Sequence, residues 1–263
     1  MKPQYIGPTI AFGILNFLAA LLMTAAVLAI FFLAPVEETM GEVQRIFYVH
    51  LGVAWAGLMA LIFSALTGML YLLRRNLMWD HLSQAAAELG WLGCALVLIT
   101  GSLWGRAAWG VWWTWDPRLT TTFILWLIYS GYFLVRKSLD DAHRRARVGA
   151  IMTILGMIDL PLVFMATRWF RGIHPISRGM EPAMRVAMAV SLAGFSALFA
   201  MLLIVRKTQL RQGDLLAMRN YEIEMNSEFV LYDPESIAVR DPEKMPNCDC
   251  RKPVDQSSPS ASG

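Results

Sequence analysis

Six long apolar runs constrain this chain more than anything else in it: Ile10–Leu33, Leu51–Leu73, Ala85–Leu103, Leu119–Val135, Val148–Thr167 and Ala183–Val205. A helix that crosses the hydrocarbon core of a bilayer needs about 20 mostly apolar residues. A membrane strand would instead show about 10 residues of alternating polarity, and these runs do not alternate. Charged residues make up only 16% of the 263 positions, against roughly 25% in soluble domains. The expected fold is therefore all-α: a polytopic membrane protein with six transmembrane helices. The first run is too long for the apolar region of a secretion signal, has only Lys2 ahead of it and lacks a small-x-small cleavage site, so it reads as a retained span.

Orientation follows from Lys and Arg in the short loops. With the N-terminus in the cytoplasm, the inner segments carry Lys2, Arg74, Arg75, Arg136, Lys137, Arg144, Arg145, Arg147, Arg206, Lys207 and Arg211. The outer ones carry Arg45, Arg106, Arg118, Arg168, Arg171 and Arg178. Eleven against six favours both termini inside. The net charge of +3 gives no sign of nucleic acid as a partner; the bilayer is the expected one. Residues 1–205 read as one six-span domain, with an outer loop at 104–120. Residues 206–263 read as a polar cytoplasmic tail, helical to about Asn226 and partly disordered beyond.

The outer loop contains "WGRAAWGVWWTWDPRLT", with Trp104, Trp109, Trp112, Trp113 and Trp115 inside twelve positions. An interfacial aromatic belt spreads over all helix ends, whereas this cluster occupies one loop. Indole faces offer broad apolar surface with an N–H at the edge, which suits a flat hydrophobic ligand. Of the four histidines, His50 at the outer end of the second run and His174 in the last outer loop fall level with the tryptophans. Neutral imidazole is a common metal ligand. A zinc site normally takes three or four protein ligands, whereas a planar macrocycle supplies four equatorial nitrogens and needs only two axial donors. Haem or another flat metallocofactor fits that pair.

Arginine is the bidentate partner of choice for carboxylates such as haem propionates, although lipid headgroups account equally for most outer arginines. Arg118 stands apart: it follows Asp116 by two residues at a helix start, where Asp116 reads as the N-cap and Pro117 as the first helical residue. Asp159, in "GMIDLPLVF", lies inside a span beside Pro161. It fits both a functional intramembrane carboxylate and a proline bend. Cys248 and Cys250 are too closely spaced for a zinc knuckle, and with Cys94 they make no disulfide framework.

"WGRAAWGVWWTWDPRLT" resembles the tryptophan-rich WWD signature of the haem-handling proteins of cytochrome c maturation. With "QRIFYVH", "WFRGIH" and the six-span layout, residues 1–205 are similar to the haem exporter protein C (CcmC) family. The resemblance implies haem b on the periplasmic face of the bacterial inner membrane, with His50 and His174 as axial ligands to the metal. Trp104, Trp109, Trp112, Trp113, Trp115, Asp116 and Arg118 would complete the cofactor-binding platform. It also implies delivery to the haem chaperone CcmE, beside the ABC transporter subunits CcmA and CcmB and the small membrane protein CcmD. No phosphate-binding G-x-x-x-x-G-K-[ST] loop occurs, so ATP hydrolysis would fall to a partner. The chain departs from the family pattern at Gly52, where relatives often carry proline, and at "WFRGIH", where they usually read Trp-Trp-x-Thr-Leu-His.

The expected activity is binding and delivery of haem, not enzymatic turnover. One rival is a b-type electron-transfer cytochrome subunit, which usually buries histidine pairs in mid-span; no histidine lies there. The other is a haem-translocating subunit of an ABC exporter, whose spans would line a polar path. Here, Asp159 and a few hydroxyl residues apart, the spans are apolar.

Overall fold

The computed structural model describes residues 10–38, 40–169 and 180–231. It contains α1 (Ile10–Leu28), continued by a π-helical turn at Ala29–Leu33, α2 (Gln44–Arg74), α3 (Leu77–Trp109), α4 (Pro117–Lys137), α5 (Ala142–Trp169) and α6 (Pro182–Leu231). All six helices are long and apolar enough to cross a membrane, as the hydropathy predicts. In hydrocarbon a backbone must satisfy its own hydrogen bonds, and a helix does so within one segment.

The helices outrun the apolar windows that announce them. α2 begins at Gln44, seven residues before the hydropathic run, and α3 spans 33 residues. At 1.5 Å per residue α3 is about 50 Å long, against a hydrocarbon core of about 30 Å. Hydropathy registers only the lipid-depth part of a helix; the helix itself stops where its capping residues stop it. Asn76 caps the start of α3, accepting from the Met78 N–H at 2.9 Å. Gly110, at φ 76°, ends it in the left-handed conformation that glycine adopts without strain.

α2 and α3 pack antiparallel, and their backbones touch. A Cβ built on Gly93 would lie 2.7 Å from the Gly57 Cα, and one on Gly57 would lie 3.2 Å from the Gly93 Cα. Close crossings of this kind need small residues, because lipid offers no hydrophobic drive to hold helices together. α4 and α5 close the bundle around Leu61, Ala87, Cys94, Leu125, Tyr129, Tyr132 and Leu160. α5 runs through Pro161 without a break; the missing N–H leaves the Met157 carbonyl without its helical donor. Asp159, two residues before the proline, is buried, and its Oδ2 has no hydrogen-bond partner among the described residues.

At one end of the bundle, buried Asp80 of α3 receives Arg136 of α4 through two parallel hydrogen bonds of 2.7 and 2.9 Å. Arg136 also donates to Gln84 Oε1 at 2.7 Å and to the Arg145 carbonyl at 3.2 Å. Nearby, Arg206 of α6 pairs with Glu88 of α3. The chain divides into two compact units, 1–213 and 214–263, with the boundary inside α6. In the second unit the described residues, 214–231, are helical. Cys248 and Cys250 lie outside the described residues.

Candidate functional site

The opposite end of the bundle, formed by the end of α1, the starts of α2 and α4 and the end of α3, carries the tryptophans. Gly110 N–H closes α3 onto the Arg106 carbonyl at 3.1 Å, and the Arg106 guanidinium reaches back to the Gly110 carbonyl. Residues 111–115 then cross to α4 without regular structure. Asp116 caps α4, its Oδ1 accepting the Arg118 N–H at 2.9 Å, with Pro117 at the first turn, as the sequence predicts. The loop is thus fixed at both ends by local backbone chemistry, and Asp116 is itself buried.

The five tryptophans do not form one shelf. Trp104 is only 4% exposed. It sits on α3 rather than in the loop and packs on Trp109 at 5.2 Å, Phe47 at 6.0 Å and His50 at 6.5 Å between ring centroids. A second set runs down the α3–α4 interface: Trp115 on Trp113 at 5.7 Å, Trp113 on Phe123 at 6.1 Å, then Phe123 stacked on Trp126 and Trp126 on Trp91. Trp112 and Trp115 are exposed, at 58% and 74%, and Arg106 lies 5.9 Å over the Trp112 ring.

Between these sets lie two spaces of very different size. A groove of about 580 Å³ is walled by Trp112, Trp113, Trp115, Phe123, Trp126 and an apolar strip of α3 from Ala95 to Leu103. A cavity of about 20 Å³ lies against His50, Trp104, Trp109 and Thr114. Trp112 and Trp113 line both, so these two indoles stand between the groove and the histidine. The Trp104 indole N–H and the Thr114 hydroxyl are buried without a partner among the described residues.

His50 lies in the second turn of α2, half-buried, and is held from two sides. Its Nδ1 is 2.8 Å from Thr100 Oγ1 on α3. Next to it Gly101 leaves room for the ring: a Cβ there would stand 3.3 Å from the imidazole Cε1. On the other flank Ser191 of α6 donates to the Tyr48 carbonyl at 3.0 Å. The missing side chain of Gly52 there admits the Phe195 ring, with which a Cβ would collide. That packing is a physical reason for glycine at this position.

The sequence matches the family model described as Heme exporter protein C over residues 8–219. The chain belongs to the heme exporter protein C family. It is similar to the Heme exporter protein C of Rhodobacter capsulatus, 30% identical over 201 residues that cover 73% of this chain and 83% of that one. Against the protein of that name from Paracoccus denitrificans it is 31% identical over 196 residues, covering 71% and 81%. Against the one from Escherichia coli K12 the figures are 30% over 184 residues, 67% and 74%.

For a heme exporter protein C chain, the structure brings together His50, Trp104, Trp109, Trp112, Trp113, Trp115, Asp116 and Arg118 at one end of the bundle. His174, with Arg171 and Arg178, lies outside the described residues. Two of the arginines offered by the sequence serve the backbone. Arg45 donates to the Ile30 carbonyl at 3.1 Å at the π-helical end of α1 and covers the Phe31 ring, while Arg106 caps its own helix. Arg118 is half-buried beside Asp116. Phe47, Thr100, Gly101, Phe123 and Trp126 escaped the sequence reading. Thr100 stands one helical turn before Trp104, and that spacing was the available signal.

The residues present fit a flat apolar cargo. The groove's volume lies within the range of roughly 300–1,000 Å³ that small-molecule and cofactor sites occupy, and its wall is aromatic. Among the described residues no three His, Cys, Asp or Glu side chains converge.

Proposed function

We propose that this protein binds haem b at its tryptophan end and hands it to a haem chaperone during maturation of c-type cytochromes. The observation that carries the reading is the aromatic groove under Trp112, Trp113 and Trp115, set beside a positioned histidine in a member of a haem-handling family. The family's role is handling haem at a membrane, not catalysing a reaction.

In this reading the groove would take the apolar edge of the macrocycle, and His50 and His174 would hold its iron. Arg118, and the arginines near His174, are the candidates for the propionates. Trp112 and Trp113 must shift for His50 to reach a molecule in the groove, because they line both spaces. The segment that carries them has no regular structure between Gly110 and Asp116, and its inner contacts are packing of rings, Trp113 on Phe123 and Arg106 over Trp112. The excess of Lys and Arg at the other loops supports a periplasmic tryptophan end with both termini in the cytoplasm. The proposed partners are CcmE as acceptor, CcmA and CcmB as the ATP-driven transporter and CcmD as the small accessory subunit. Exchange of His174 for a ligand of the acceptor would release the cargo.

Absorption spectra of the purified protein and of His50→Ala and His174→Ala test the reading. The wild type should carry haem, and each variant should lose or shift the Soret and α bands. Wild-type spectra in both variants would remove the two-histidine site. Transfer from His174→Ala to the chaperone as efficient as from wild type would remove the exchange step.

A further inference from the structure

Thr100 makes two short contacts through one oxygen. Its Oγ1 lies 2.7 Å from the Leu96 carbonyl, one helical turn back, and 2.8 Å from His50 Nδ1. Each contact at such a distance needs a proton between the two atoms; without one, two lone pairs would face each other. The hydroxyl owns a single proton, and a carbonyl oxygen has none to offer. Only the imidazole can supply the second. The arrangement with a proton in both contacts has Thr100 donating to Leu96 and His50 Nδ1–H donating to Thr100. The neutral ring then carries its proton on Nδ1 and its lone pair on Nε2, the form in which an imidazole ligates a metal through Nε2.

We infer that Thr100 is the positioning residue of His50: it selects the Nδ1–H tautomer and fixes the ring plane, so that Nε2 is ready for iron before haem arrives. Two neighbours complete the arrangement. Gly101 leaves space for the ring beside α3, with the Cε1 carbon nearest the glycine. Ser191 and Phe195 of α6 pin the α2 turn that carries His50. Partners behind a metal-bound histidine raise the basicity of the ligating nitrogen, and their loss typically weakens metal binding 10–100-fold. The inference about metal readiness rests on the ligand role proposed above for His50; the tautomer itself does not.

The first experiment therefore needs no haem. Nitrogen-15 NMR of histidine-labelled, haem-free protein in lipid nanodiscs reports which ring nitrogen of each neutral histidine carries the proton. His50, assigned by its loss in His50→Gln, should be protonated at Nδ1 in the wild type and in Thr100→Ser. In Thr100→Val, a near-isostere with no acceptor, the proton should move to Nε2. An Nε2–H resonance in the wild type, or an Nδ1–H resonance that survives in Thr100→Val, would overturn the inference. Thr100→Ser controls for folding, since it keeps the hydroxyl and removes only a methyl.

The second experiment separates this inference from the ligand role. Haem titration should show roughly 10–100-fold weaker retention and a shifted Soret band in Thr100→Val, with Thr100→Ser near wild type. His50→Gly should lose the band and recover it with added imidazole. If His50→Gly keeps the wild-type spectrum, the ligand role fails while the tautomer result stands. If imidazole rescues His50→Gly but Thr100→Val binds and absorbs like the wild type, the positioning role fails and the ligand role stands.

Discussion

The two ends of the helical bundle solve opposite problems. At the end of Asp80, Arg136 and Glu88, buried charge is met by buried charge: Arg136, only 5% exposed, is held by a bidentate carboxylate, an amide oxygen and a backbone carbonyl. At the tryptophan end, large apolar surfaces are left open and an aromatic groove lies between α3 and α4. A membrane bundle gains little from apolar burial between helices. One end is closed with strong, directional polar contacts, which leaves the other able to keep a groove open for a ligand. Ligand-binding segments are drawn from the less stable parts of a fold, and they need a stable frame elsewhere.

That contrast can be broken most severely at the closed end. Arg136→Ala should destabilise the bundle by about 3–5 kcal/mol, because it strands the Asp80 carboxylate in a buried site. Replacing both partners by apolar residues should recover much of that loss. Unfolding in mixed micelles measures both, and an Arg136→Ala protein as stable as wild type would mean the pair is no clamp.

A sharper cut runs through the tryptophans themselves. Trp104→Ala should cost about 3–5 kcal/mol of stability, as removal of a buried aromatic does. Trp115, 74% exposed, should leave stability within about 0.5 kcal/mol when replaced by alanine, while lowering haem retention. Equal stability losses in the two variants would erase the distinction between packing and ligand-facing indoles.

A smaller loss than at Arg136 or Trp104 is expected at Gly52. Gly52→Ala forces a methyl into the Phe195 ring and should cost about 1–3 kcal/mol, with Phe195→Ala restoring part of it in the double variant. Additive losses in that cycle, read by the same unfolding measurement, would show that the two residues do not sense each other.

The fold was largely legible in the sequence because a bilayer imposes one length and one polarity on every span. The ends of the helices were less so: α2 gains Gln44–His50 and α3 gains Leu77–Gln84 and Trp104–Trp109, segments whose hydropathy is ordinary. Where a cap has its own chemistry, as at Asp116–Pro117, the end could be read directly. The site was legible as a set of residues and not as an arrangement. That Trp104 turns inward onto Phe47 while Trp115 stays exposed depends on which helix faces which, and spacing along one segment does not carry that. Arg45 and Arg106 resemble anion ligands in the sequence because their carbonyl partners are backbone atoms, which every residue has.

The contact between Gly57 and Gly93 has a consequence for the imidazole. In the antiparallel pair, Gly57 lies seven residues after His50, and Gly93 lies seven residues before Thr100. Both glycines are therefore about 10 Å along the same two helices from the His50–Thr100 hydrogen bond. The crossing is a fulcrum, and the histidine sits on its lever arm. Anything that wedges the helices apart there, a single added methyl or a shift in the lateral pressure of the surrounding lipid, would be felt two turns away as a hydrogen bond that no longer reaches.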